Sequence, residues 1–251
     1  MIYVFAWTGS PLDFRRIGSM LGTDDLAEVS SEDRATSQSR QYETTRRTLR
    51  CKMSILGKLH ATHVFSRRVR VLVDCLSAFI PENASVLDVG CGDGSISEQI
   101  LLSRPDLTIV GIDVLLRSKT QIPVTLFDGE TIPFPDKSFD AVLFIDVLHH
   151  TDDHETLLWE AKRVCRQTII LKDHTLDGLL AGPTLRFMDW IGNAGHGVRL
   201  PYNYLSERQW RRSCESLNLR ITHWSGEVGL YPWPASLLFD RGLHFVACLE
   251  P

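Results

Sequence analysis

The stretch Val86-Leu-Asp-Val-Gly-Cys-Gly-Asp-Gly94 constrains this chain more than any other. Three alternate glycines directly after an apolar run describe a turn at the end of a strand. It is tight enough to call for positive φ and bare enough for a ligand to come close to the backbone. Gly111-Ile-Asp113 closes the next apolar run on an acid, placed to accept both hydroxyls of a ribose. Together the two motifs describe a nucleoside site on a parallel α/β sheet.

The nucleoside is narrowed by charge and spacing. The dinucleotide pattern Gly-x-Gly-x-x-Gly wants a third glycine where Ser95 stands. Asp88, just inside the strand end, would repel a diphosphate and suits a cation such as an amino-acid ammonium. A ribose, an ammonium and a sulfonium without phosphate make S-adenosyl-L-methionine. With Phe127-Asp-Gly-Glu-Thr-Ile-Pro-Phe-Pro-Asp136 and Ser138-Phe-Asp-Ala-Val-Leu-Phe-Ile-Asp-Val-Leu-His-His150 following in order, the chain resembles the class I S-adenosylmethionine-dependent methyltransferases, type 11 branch. The resemblance runs over roughly residues 70 to 251. It implies a doubly wound, Rossmann-like α/β sheet of seven strands, mostly parallel with one antiparallel edge strand. It also implies cofactor contacts at Asp88, Gly90, Gly92 and Gly94 around the methionine part, at Asp113 for the ribose hydroxyls, and at Cys91 and Val114 beside them. Asp128 and Gly129 would serve the adenine, and Asp146 would stand at the end of strand four.

Composition sets the remaining bounds. A chain of 251 residues with 43% hydrophobic content can bury one sizeable core. Its net charge of −4 gives no general pull toward nucleic acid. Six scattered cysteines (51, 75, 91, 165, 214 and 248) make no Cys-x-x-Cys pair, so neither a zinc site nor a disulfide framework is read here. No apolar run reaches the length of a membrane span, and the apolar opening lacks the basic start of a signal peptide. The expectation is a soluble, cytoplasmic protein.

Residues 1–52 stand apart. From 8 to 50 polar and charged residues dominate, so the segment reads as a disordered or loosely attached extension, or a mis-set start. Residues 53–251 read as the catalytic domain. A helix ends at Pro81, with Arg67, Arg68 and Arg70 expected in solvent. Strands are expected at 85–89, 107–112, 124–127, 139–145, 168–171, 219–224 and 243–249. Helices fall at about 94–103, 154–165 and from Ser206 to Leu217, the last opened by a capping box of Ser206 and Gln209. Too few residues separate strands two and three for the usual crossover helix. Residues 174–205, with Leu179, Leu180, Leu185, Phe187, Met188, Trp190 and Ile191, read as an apolar lid over the acceptor. His196, Tyr202, Tyr204, Trp224, Tyr231 and Trp233 are further candidate acceptor contacts.

Methyl transfer from a sulfonium is an in-line displacement that alignment and water exclusion can largely carry. A base is needed only where the acceptor must lose a proton, and no metal is required. His150 and His174 are the candidate bases, the latter with Asp173 to orient it. The leading reading is methylation of an oxygen, carbon or nitrogen of a small molecule such as a lipid, quinone precursor or natural-product intermediate. An RNA or protein methyltransferase and a non-catalytic binding module are the alternatives. The Asn/Asp-Pro-Pro-Tyr/Phe motif of adenine-amino methyltransferases is replaced by Asp146-Val-Leu-His149.

Overall fold

The computed structural model describes residues 55–193 and 202–251, with side chains over 66–190 and 202–251. The expected N-terminal extension and His196 lie outside those residues. Val64–Pro251 forms one unit and is the subject below. Of the second unit, Phe5–His63, the described residues are the start of one helix.

The elements follow in the order α1 (Ile55–Ser77), β1 (Ser85–Val89), α2 (Ser95–Ser103), β2 (Thr108–Asp113), β3 (Val124–Leu126) and β4 (Phe139–Ile145). A 3-10 turn at Leu148–His150 leads to α3 (His154–Val164), β5 (Cys165–His174), α4 (Ala181–Asn193) and α5 (Glu207–Ser216). β6 (Arg220–Ser225), the short α6 (Ser236–Phe239) and β7 (His244–Glu250) complete the chain. They build one seven-stranded sheet in the order β3-β2-β1-β4-β5-β7-β6. β1 to β5 pair in parallel, and β7 runs against both β5 and the edge strand β6. As expected, the stretch 114–123 between β2 and β3 forms bends and no helix.

Both faces of the sheet are covered. On one, Leu72, Leu76, Ile96 and Ile100 from α1 and α2 pack on Val86, Ala141, Leu143 and Ile170. On the other, Leu157, Leu158, Ala161 and Trp210 from α3 and α5 pack on Leu87, Val142, Phe144 and Phe245. β4 is buried along nearly its whole length, which is why its sequence is almost wholly apolar. Emptying one such leucine to alanine costs about 2–5 kcal/mol. The C-terminal end of α1 is tied by Arg104, whose guanidinium donates to the carbonyls of Ser77, Ile80 and Pro81. Asp153 caps α3 through the amides of Glu155 and Thr156, and Ser206 and Gln209 form the expected capping box on α5.

β5 is longer than the apolar run Thr168–Leu171 suggests, because Lys172, Asp173 and His174 continue it against Val246, Phe245 and His244 of β7. Those three polar residues are all buried. A period-two reading misses a strand whose buried face is charged. The lid segment also divides. Leu185 and Ala181 are buried, whereas Leu179, Leu180, Phe187 and Trp190 are exposed. Among the described residues, no helix is long and apolar enough to cross a membrane.

Candidate active site

The glycine turn sits between the ends of β1 and β2. Gly90, Gly92 and Gly94 have φ of +73°, +63° and +77°. Their roles differ. A Cβ on Gly90 would lie 2.7 Å from Cγ2 of Val147, and one on Gly94 would lie 2.5 Å from Cγ1 of Ile122. A Cβ on Gly92 would meet no atom within 4 Å. Two glycines are therefore needed for packing, and the middle one keeps open space beside a cleft. That cleft is lined by Asp88, Gly90, Cys91, Asp93, Ser95, Ile96 and Ile145. The Cys91 thiol is held protonated by burial and by the nearby Asp88 and Asp113, so it is not a nucleophile at neutral pH.

Asp88 is buried, and its Oδ2 accepts from the Ser97 hydroxyl at 2.6 Å. Burial pushes its carboxyl up to about 6, against the pull of that hydrogen bond. Asp113 is fully buried; Oδ2 accepts from the Gly92 amide at 2.8 Å and Oδ1 from the Leu115 amide at 2.9 Å. It thus pins the glycine turn to the loop after β2. Val114 beside it is exposed, and its side chain lies near Gly129. Asp128 is exposed and caps its own turn, its Oδ1 accepting from the amides of Glu130 and Thr131.

Beyond β4 and β5 lies a buried polar cluster. Asp146 adopts φ +56° and pairs with Lys172 through Oδ1 and with Arg68 through Oδ2 at 2.7 Å. Burial raises its carboxyl, but the charges of Lys172, His174 and Arg68 outweigh that and hold it well below the ordinary value. Lys172 is fully buried, and His244 Nδ1 lies 3.3 Å from its ammonium. The expectation that Arg68 stays in solvent is corrected. Its guanidinium turns inward to the buried carboxylate of Asp146, which Lys172 also meets and near which His174 Nδ1 lies at 3.6 Å.

His149, His150 and His174 come together here, with ring centroids 4.0 Å apart for the first pair and 4.7 Å for His149 and His174. Asp173 lies 3.5 Å from His174 Nδ1 through Oδ1, but it meets His149 more closely. Its Oδ1 receives the His174 amide, while the ring it holds is that of His149, Nδ1 to Oδ1 2.6 Å. Burial lowers the His149 pKa, but the Asp173 and Asp189 carboxylates outweigh it and raise the ring to about 9. His150 is pulled down to about 3 by burial and by the neighbouring His149. His174 is lowered by burial and by Lys172. Asp189, on α4, lies 3.5 Å from His149 Nε2 and accepts from the Tyr204 hydroxyl. Of the other aromatic candidates, Trp224 stacks on Phe245 in the core, and Trp233 is exposed. Sequence reasoning missed Arg68, Lys172, Asp189 and His244. Only the fold brings α1, α4 and β7 to one strand end, so no local spacing could announce them.

Residues 87–171 match the family model described as a methyltransferase domain. The chain is 37% identical over 91 residues to an uncharacterized methyltransferase of Mycobacterium tuberculosis (strain H37Rv), covering 33% of this chain and 46% of that one. It is 36% identical over 92 residues to the tRNA U34 carboxymethyltransferase of Nautilia profundicola, covering 32% of this chain and 30% of that one. The chain thus spans less than half the length of these curated relatives. Among solved structures, the fold is similar to a Burkholderia thailandensis 1,6-didemethyltoxoflavin-N1-methyltransferase crystallised with 1,6-didemethyltoxoflavin and S-adenosylhomocysteine. The TM-score is 0.53 at 16% identity, over 90% of this chain and 92% of that one.

Proposed function

We propose that this chain, whose residues 87–171 match the methyltransferase-domain model, is an S-adenosyl-L-methionine-dependent methyltransferase with a small-molecule acceptor. The observation that carries the reading is the turn at Gly90–Gly94. Its central glycine faces open space at positive φ, beside a buried carboxylate raised by desolvation and next to a second acid at the end of β2. When bound there, S-adenosyl-L-methionine supplies a methyl group activated by its sulfonium.

The residues divide the work. Asp88 would gain a cation in place of the solvation it has lost, which suits an ammonium. Gly90, Cys91, Gly92 and Gly94 give the backbone wall of the cleft. Each oxygen of Asp113 accepts one amide and keeps a further lone pair, the one a ribose hydroxyl would use. Val114 would flank the adenine, with Asp128 and Gly129 on its polar edge. Asp146, held by Lys172 and Arg68, would border the acceptor side. His150 and His174 are neutral at pH 7, the form that can take a proton, and His149 is a charged donor able to fix an acceptor oxygen. Residues 174–205 would cover the acceptor as a lid.

The tRNA relative does not carry its acceptor over. A chain of net charge −4 lacks the general pull that an RNA substrate exploits. The test is transfer of labelled methyl from S-adenosylmethionine into a fractionated cell extract. Label in the small-molecule fraction supports the reading; label confined to RNA or protein moves it to the macromolecular class.

A further inference from the structure

We propose that His149, His150 and Asp189 form a binding site for one divalent transition-metal ion. Ligand atoms of the three residues lie within 4.8 Å of one another. His149 Nε2 and His150 Nδ1 are buried and have no hydrogen-bond partner, in a His149 side chain only 1% exposed. Buried polar nitrogens are ordinarily satisfied; Asp189 Oδ2 approaches His149 Nε2 only to 3.5 Å, long for a hydrogen bond, so the two nitrogens and the carboxylate can share an ion between them.

The geometry around these atoms is that of a prepared site. Asp173 holds His149 by Nδ1 at 2.6 Å, which leaves Nε2 facing Asp189 as the nitrogen that would give up its proton and take the ion. A carboxylate behind a histidine in this way commonly orients it toward a metal. Asp189 is steadied by the Tyr204 hydroxyl. With metal–ligand bonds of 2.0–2.2 Å, neighbouring tetrahedral donors stand about 3.4 Å apart; His149 Nε2 and Asp189 Oδ2 are 3.5 Å apart. The grouping of His149 with Asp173 and His174 is as compact, but there His149 and Asp173 are already bonded to each other. Two imidazoles and one carboxylate suit zinc, iron, cobalt or nickel, and disfavour magnesium and calcium. Three protein ligands leave an open position for a water or an acceptor oxygen. The ion would also fasten α4, which carries Asp189, to the turn after β4.

The full chain, stripped with chelator, is titrated with Co²⁺ and followed in the visible, and Zn²⁺ is then added in competition. One Co²⁺ per chain is expected, with ligand-field bands, no thiolate charge-transfer band, and displacement by Zn²⁺. His150→Gln and Asp189→Asn should weaken Zn²⁺ about a hundredfold, and Asp173→Asn about tenfold or more. No stoichiometric binding, a thiolate band, or full affinity in His150→Gln overturns the site. If the variants fail to fold, the spectrum of the unsubstituted chain decides alone. S-adenosylhomocysteine binding is measured on the same sample. A chain that binds it but no metal loses this ion site and keeps its methyl-transfer reading.

Discussion

His149 Nδ1 stands 2.6 Å from Asp173 Oδ1, both side chains out of solvent, and the pair joins the turn after β4 to the end of β5. The raised histidine and the lowered aspartate bracket a pH window. His149 has a folded pKa of about 9 against an ordinary 6.5, so its stabilisation is complete below 6.5 and is lost as pH rises through about 9. Asp173 is held far below its ordinary 3.8 by the His149 charge, which outweighs its burial, so its contribution is present above 3.8 and fades as the solution becomes more acid. Melting of the chelator-treated chain should therefore plateau between about pH 4 and 6.5 for this pair. It should decline toward pH 10. Asp173→Asn should remove the alkaline decline and cost about 3–5 kcal/mol. A melting temperature that stays level from neutral pH to 10 contradicts the pairing.

Asp88 makes affinity for a cationic ligand fall as the solution becomes more acid. Burial places its carboxyl at about 6, so acidification neutralises it and removes its attraction for an ammonium. S-adenosylhomocysteine affinity measured by calorimetry should fall by up to about tenfold per unit below pH 6. Asp88→Asn should bind about 10- to 100-fold more weakly than the parent at pH 7 and lose that slope. Equal affinities at pH 5 and 7 in the parent would remove Asp88 from the ammonium site.

The three glycines separate packing from binding. Gly94→Ala and Gly90→Ala force a Cβ against Ile122 and Val147 at positive φ, and each should destabilise by about 2 kcal/mol or more. Gly92→Ala meets no neighbour and should cost only the left-handed strain, about 1 kcal/mol. Gly92→Val should melt close to Gly92→Ala yet lose ligand affinity. Urea unfolding and calorimetry on the same samples check both halves.

This division marks where the sequence was legible. The glycine turn, the acid at Asp113, the apolar β4 and the capping box of Ser206 and Gln209 are local patterns, each with one physical cause, and the fold follows them. The ionic cluster was not legible. Arg68 lies on a helix face that reads as solvated, and Lys172 lies in the polar tip of a strand, where the sequence resembles a loop. Asp189 sits among apolar residues on α4. Their meaning comes from the strand order β4-β5-β7, which brings distant segments together. The closer approach of Asp173 to His149 than to His174 is equally a matter of tertiary geometry.

The Asp146–Lys172 pair should behave as a buried ion pair does. Asp146→Asn leaves a fully buried ammonium beside Arg68 and should cost about 3–5 kcal/mol, whereas Asp146→Leu with Lys172→Met should recover most of that loss. Urea unfolding of the single and double variants gives the coupling. Additive losses would mean that the two charges do not depend on each other.

Calorimetry with S-adenosylhomocysteine on the parent chain and on Asp113→Ala tests the central claim most directly. The parent should bind one equivalent with an affinity in the micromolar range, on the order of −8 kcal/mol. Asp113→Ala should lose at least about tenfold while remaining folded. An absence of heat with the parent, or unchanged binding in Asp113→Ala, would contradict a nucleoside held between the glycine turn and the acid at the end of β2.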